Sequence, residues 1–319
     1  MSFREDPVLL SRVLSAIDAS VNDRFAEAES LCIAIAGDYP SSPYGPLFVA
    51  GTIHAAMIDQ ESNARHADYN RWRRRAEHMA EALGESADAE FVRGVAAGYE
   101  AVYEARWGGW FAALKKGLSA KKHFDRALQR DSTFVDAYLG IGNYNFWKSV
   151  KTDFINWTPL VTDNRREGLA QLQQVVIAGT VAKAAARAAL AAALVHEERY
   201  ADAIAHADTL AQEYPDGKTS LWIRAHARFH LYEWDRAYAL FAEIEQRIRA
   251  EGPGNYFNLI ECAYYRAQCD YESGRWAEAM DICLNALAYP VPEEIKKRQS
   301  GKLDELRKMH RELKKMVGR

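Results

Sequence analysis

The chain has 319 residues, 49 % of them hydrophobic, and a formal net charge of −3. That apolar content excludes an intrinsically disordered chain, and the faintly acidic balance excludes a global basic field that would hold nucleic acid non-specifically. No run of about 18 apolar residues is present to span a bilayer as a helix.

Nine prolines, abundant alanine and few alternating β-branched runs predict helices throughout. The N-terminal MSFREDPVLL carries acidic residues and no hydrophobic signal core, so the cytoplasm is the expected location. A chain trimmed of a signal would instead be periplasmic or exported. Cys32, Cys262, Cys269 and Cys283 form no CxxC pair and lie in apolar helical patterns. They read as buried free thiols, which favours a reducing compartment.

In chain order, RFAEAESLCIAIAGDYP, RYADAIAHADTLAQEYP, EWDRAYALFAEIEQ and RWAEAMDICLNALAYP share one pattern. An aromatic is followed three residues later by alanine: Phe25/Ala28, Tyr200/Ala203, Trp234/Ala237 and Trp276/Ala279. Ten residues after each aromatic comes Ile35, Leu210, Ile244 or Ala286. The aromatic is expected to open the second helix of a hairpin. The alanine marks the same face, where the first helix approaches closely. Pro40, Pro215 and Pro290 stop the second helix. Burial of Trp276 predicts about 3 kcal/mol for its truncation.

This pattern resembles the tetratricopeptide repeat (TPR), whose units are helix–turn–helix pairs of about 34 residues; Tyr200 and Trp234 are 34 residues apart. The resemblance implies an all-α fold, a right-handed α-α superhelix (solenoid) of about seven hairpins with a C-terminal capping helix. The hairpins fall roughly at 7–40, 43–84, 87–131, 133–179, 181–215, 217–251 and 255–290. Residues 1–292 would be the repeat array and 293–319 the cap and tail. The cap is read as one helix over 293–317, with Ile295, Leu303, Leu306, Met309, Leu313 and Met316 on one stripe. Residues 181–290 and 23–40 carry the match, and 43–180 holds units longer than standard. Within that middle block, GWFAALKKGLSAKKHFDRAL and LGIGNYNFW resemble the Iml2-like group of long repeat proteins, related to yeast inclusion-body clearance.

The resemblance places first helices on an inner, concave wall. The matching wall positions are Leu139, Asn143, Phe146 and Trp147, then Ala192, then Trp222, His226, Phe229 and His230, then Tyr264, Gln268 and Tyr271; Asp136 falls in the same register. Aromatics with polar tips suit a binding surface. The same aromatics would be core between hairpins if the register were off by one, since one residue rotates a helix by about 100°. Alanines of the fifth unit, Ala192 among them, would leave a hollow for a bulky side chain.

The implied function is a scaffold or adaptor that takes a peptide or partner helix in the concave groove. The alternative is a small apolar ligand or lipid in an aromatic pocket under the 151–164 loop, whose Phe154, Ile155 and Trp157 precede Pro159. The expected partner is a protein or peptide, with no nucleic acid; nothing in the pattern sets an oligomeric state. No catalytic residue, metal or cofactor is expected. GxxxxGK, GxGxxG and GxSxG are absent. His226 and His230, four apart, have a zinc-chelating spacing without a third ligand, and read as groove histidines. The RWRRR run at 71–75 would spread around a helix as a solvated face, with a phosphate or acidic partner as the other reading. WGGW at 107–110 reads as a helix break or a ligand loop.

Overall fold

The computed structural model describes residues 4–153 and 162–317, and among these residues it contains sixteen α-helices and no strand. They follow one another in seven pairs: α1 (Pro7–Val21) with α2 (Phe25–Asp38), α3 (Tyr44–Asp59) with α4 (His66–Glu81), α5 (Ala87–Trp107) with α6 (Trp110–Arg130), α7 (Tyr138–Lys151) with α8 (Arg165–Ala178), α9 (Lys183–His196) with α10 (Tyr200–Glu213), α11 (Lys218–His230) with α12 (Trp234–Glu251), and α13 (Tyr256–Glu272) with α14 (Trp276–Leu287). Two more, α15 (Glu293–Arg298) and α16 (Ser300–Val317), complete the chain. The architecture is the all-α helical repeat that the sequence predicts.

One turn recurs in four of the pairs and explains the sequence repeat. Asp23, Glu198, Tyr232 and Gly274 take positive φ of 59°, 58°, 60° and 75°. The next residue then donates its N–H five residues back, as in Arg24 to Ala19 (2.9 Å) and Arg275 to Asp270 (2.9 Å). This is the 6→1 closure of a Schellman-type helix end. The aromatic follows at the first position of the new helix. Ala28, Ala203, Ala237 and Ala279 are fully buried, as the close approach of paired helices requires. The aromatics themselves are only partly buried, and Trp276 is 43 % exposed, which corrects the expectation of a deeply buried anchor.

Two compact units are distinguished, the first made of Met1–Asp59, Asn63–Ala193 and Tyr214–Asp216, the second of Gln60–Ser62, Leu194–Glu213 and Gly217–Arg319. In the first unit a core runs through Leu9, Ile35, Leu47, Val92, Phe124, Phe134 and Ile141. Its α7 and α8 meet backbone to backbone at Gly142 and Gly168. Asp136, buried before α7, accepts hydrogen bonds from the N–H groups of Thr180 and Ala182 at 2.9 Å each and so fixes the turn into α9. Burial pushes its carboxyl above the usual range. Asp136 is therefore a cap and not a wall residue.

The arginines at 71–75 do spread around α4. Arg73 is buried and paired with Glu77 (2.7 Å) and Glu100 (2.8 Å), whereas Arg71, Arg74 and Arg75 are exposed. Gly108 and Gly109 form the two-residue turn between α5 and α6, so the helix-break reading of WGGW holds; a Cβ on Gly108 would lie 1.9 Å from the Glu104 carboxylate.

In the second unit Phe241, Ile244 and Ile248 of α12 pack with Leu221, Ala225 and Cys262. On the other side of α13, Ile260, Ala263 and Ala267 pack with Leu303, Leu306, Met309 and Leu313 of α16. The cap is two helices rather than one. Between them Gln299 is buried and its side-chain amide donates to the Phe257 carbonyl and the Glu261 carboxylate, both at 3.1 Å. Met316, placed on the stripe from sequence, is exposed.

Candidate functional site

A concentration of partly exposed aromatic side chains at sequence-predicted wall positions lies in the second unit. Trp222, His226 and Phe229 occupy positions i, i+4 and i+7 of α11 and therefore share a face. Each is partly buried, and Phe241 of α12 lies fully buried behind them. Tyr265 of α13 closes the cluster. Its ring meets His226 edge-on at 4.9 Å and Phe229 at 4.8 Å, and stacks on Phe241 at 4.8 Å with an interplanar angle of 5°. Trp222 stacks on His226 at 5.9 Å. Such offset and edge-to-face pairs match the ring quadrupoles.

Polar groups border the strip on the α16 side. Lys302 Nζ lies 5.7 Å from the Tyr264 ring centroid and 5.8 Å from that of Tyr265, a cation–π arrangement. The same ammonium pairs with Glu261 at 2.9 Å. Gln268 donates its amide to the Tyr264 hydroxyl at 2.8 Å. Burial lowers the His226 imidazole to about 4, with Glu261 opposing that shift and His230 and Lys302 adding to it. His226 is therefore neutral at physiological pH, one ring nitrogen a donor and the other an acceptor. Burial raises the Tyr264 and Tyr265 hydroxyls, so both stay protonated.

The wall positions expected from sequence separate into groups. Trp222, His226, Phe229, Tyr264 and Gln268 come together in the strip. Tyr271 is partly buried against the α13–α14–α16 core, on which Tyr264 also packs. His230 is exposed and stacks on Tyr200 at 5.4 Å and 7°. The two histidines thus engage different partners, and among the described residues no group of three or more potential metal ligands forms.

The α7 and α9 positions belong to the first unit. Phe146 is fully buried where Gly168 of α8 comes against its backbone. It is core and cannot line a surface, which corrects the sequence reading of Phe146; the adjacent expected wall position, Trp147, is exposed. The amide of Asn143 is spent on the Leu139 carbonyl at 2.9 Å; Leu139 is partly buried and Ala192 exposed. Of the 151–164 loop, residues 154–161 lie outside the described residues, and with them Phe154, Ile155, Trp157 and Pro159.

Sequence reasoning missed Tyr265 and Lys302. Tyr265 is adjacent to Tyr264, and the register named Tyr264 alone. Lys302 sits on a helix whose charged side reads as solvated.

The first unit also holds an open depression of about 360 Å³ between α6, α7 and α8, lined by Lys121, Asp125, Tyr138, Ile141, Glu167 and Gln171. Lys121 and Asp125 pair there at 2.7 Å. Its polar walls differ from the aromatic pocket expected for an apolar molecule.

Nucleophile chemistry finds no support in the thiols. All four are buried, and burial pushes Cys32, Cys269 and Cys283 up to about 12. No described helix is long and apolar enough to cross a membrane.

No family model matches the chain. No curated protein matches it either. Neither comparison supports the similarity to the Iml2-like group. Among solved structures, the chain is similar to the crystal structure of the C-terminal part of a TPR repeat-containing protein from Cytophaga hutchinsonii, with 16 % identity and a TM-score of 0.44 over 89 % of this chain and 98 % of that one.

Proposed function

We propose that the strip on α11 and α13 is a docking surface for a peptide or partner helix, and that the protein works as an interaction scaffold. The observation that carries this reading is the unbroken series Trp222, His226, Tyr265 and Tyr264, partly exposed and flanked by Lys302. Rings fixed by their neighbours lose little entropy when a ligand covers them. The borders offer a neutral imidazole, an amide and a paired ammonium for a peptide backbone. A ligand with an aliphatic or aromatic anchor every three or four residues would match the spacing of Trp222, His226 and Phe229.

The test is selection of a displayed peptide library on the full chain, followed by affinity measurements on Trp222→Ala and Lys302→Glu. Enriched peptides should share a spaced apolar motif and weaken at least about tenfold on Trp222→Ala, since central aromatics are the usual hot spots. Peptides that bind both variants as well as the parent would place the surface elsewhere. An unchanged far-ultraviolet spectrum separates loss of contact from loss of fold.

A further inference from the structure

The tip of the α5–α6 hairpin, in the first unit, differs from the other turns among the described residues. Both helices run 21 residues, against 16 for α3 and α4 and 14 for α7 and α8. The two glycines at the turn are followed at once by Trp110 and Phe111, which are 37 % and 83 % exposed. Val102 and Leu118 are also exposed, one on each helix. Phe111 is the most exposed of the large hydrophobic side chains described. Phe111 in particular is too exposed to serve the core.

The charges around this tip differ in sign from the chain as a whole. On α6, Phe111, Lys115, Leu118, Lys122 and Arg126 lie at i, i+4, i+7, i+11 and i+15, one outward stripe of exposed residues. Lys116 pairs with Glu100 and Lys121 with Asp125, whereas Lys115 and Lys122 have no ion pair among the described residues. Between residues 98 and 126 the chain has six Lys or Arg and three Asp or Glu, against a net charge of −3 overall.

The geometry points to an anionic lipid surface as the occupant of this tip. We infer that Trp110 and Phe111 enter the headgroup–acyl boundary while Lys115 and Lys122 meet lipid phosphates. Aromatic side chains cover on the order of 150–250 Å² each, and with Trp110 37 % and Phe111 83 % exposed the pair still offers only about a third of the roughly 800 Å² that a stable protein interface takes from each partner. A bilayer needs no such footprint. It takes an apolar wedge to a depth of about 5–10 Å and holds the basic residues behind it. With a rise of 1.5 Å per residue, Lys115 stands about 6 Å and Lys122 about 16 Å behind Phe111, so both reach lipid phosphates when α6 tilts with its outward stripe toward the bilayer. This surface belongs to the first unit and does not depend on the peptide strip of the second.

The test is flotation of the full chain with phosphatidylcholine vesicles and with phosphatidylcholine vesicles doped with phosphatidylglycerol. The expected result is binding to the doped vesicles only, lost at high salt. The double variant Trp110→Ser/Phe111→Ser should lower the partition coefficient by about tenfold or more, and so should Lys115→Glu/Lys122→Glu. Both variants should melt with the parent, because all four side chains are exposed. Failure of the parent to float with anionic vesicles overturns the inference, as does flotation of either variant at the parental level. A tip that holds two copies together would overturn it too, by lowering the oligomer size of the serine variant without changing vesicle binding.

Discussion

Gly142 and Gly168 approach so closely that a Cβ placed on Gly168 would lie 2.7 Å from the Gly142 carbonyl oxygen and 2.9 Å from the Phe146 nitrogen. Both obstacles are backbone, so no side-chain rotation relieves the clash. Gly168→Ala is expected to destabilise the first unit by about 2 kcal/mol or more through overpacking, despite the better helix propensity of alanine. Chemical denaturation of the variant checks this. A neutral or stabilising effect would mean that α7 and α8 can separate without cost.

Asp136 offers a second check on the same unit. Asp136→Ala leaves the N–H groups of Thr180 and Ala182 without their acceptor. Unsatisfied buried donors cost about 1–3 kcal/mol. Hydrogen exchange should show the loss locally, as faster exchange of amides in residues 179–184.

Buried His54 and partly buried His226 predict a stability loss in mild acid. Burial lowers both His54 and His226 to about 4, against 6.5 for the unperturbed side chain. Above pH 6.5 both are neutral whether the chain is folded or unfolded, and stability is independent of their titration. As pH falls from 6.5 toward 4 the unfolded state takes up protons that the folded state refuses, so stability falls across that window and levels off below it. For His54, which is 4 % exposed, the loss is on the order of 3 kcal/mol. Melting temperatures at pH 7.5, 6 and 5 would measure it. His54→Phe, if it folds, should flatten the slope; an unchanged slope would assign the loss to other groups.

Trp276 and Phe241 should respond unequally to truncation. Phe241 is fully buried among Trp222, His226 and Tyr265, so Phe241→Ala should cost about 3–5 kcal/mol. Trp276, 43 % exposed, should cost less than half as much. Equal losses measured by denaturant unfolding would contradict this division.

The hairpin boundaries were legible because the turn chemistry repeats. A left-handed residue, then an aromatic, then a buried alanine leaves the same trace at Phe25, Tyr200, Trp234 and Trp276. The strip was legible only in part. Counting back from Trp234 placed Trp222, His226 and Phe229 on one face, because few residues intervene. Counting back from Trp276 along α13 named Tyr264 and passed over the next residue, Tyr265, whose ring closes the cluster. In the fourth pair the pattern named two adjacent positions, and the turn of about 100° between them separates buried Phe146 from exposed Trp147. Lys302 was invisible for a different reason: nothing local to α16 tells which lysine lies over a tyrosine of another helix.

The face of α14 and α13 that a further hairpin would need is already occupied by α16. That helix also brings Lys302 over Tyr264 and Tyr265. Growth of the stack by gene duplication at this point would have to dislodge α16, and the ammonium would leave with it. The number of repeats and the chemistry of the proposed docking strip are thus coupled through one helix.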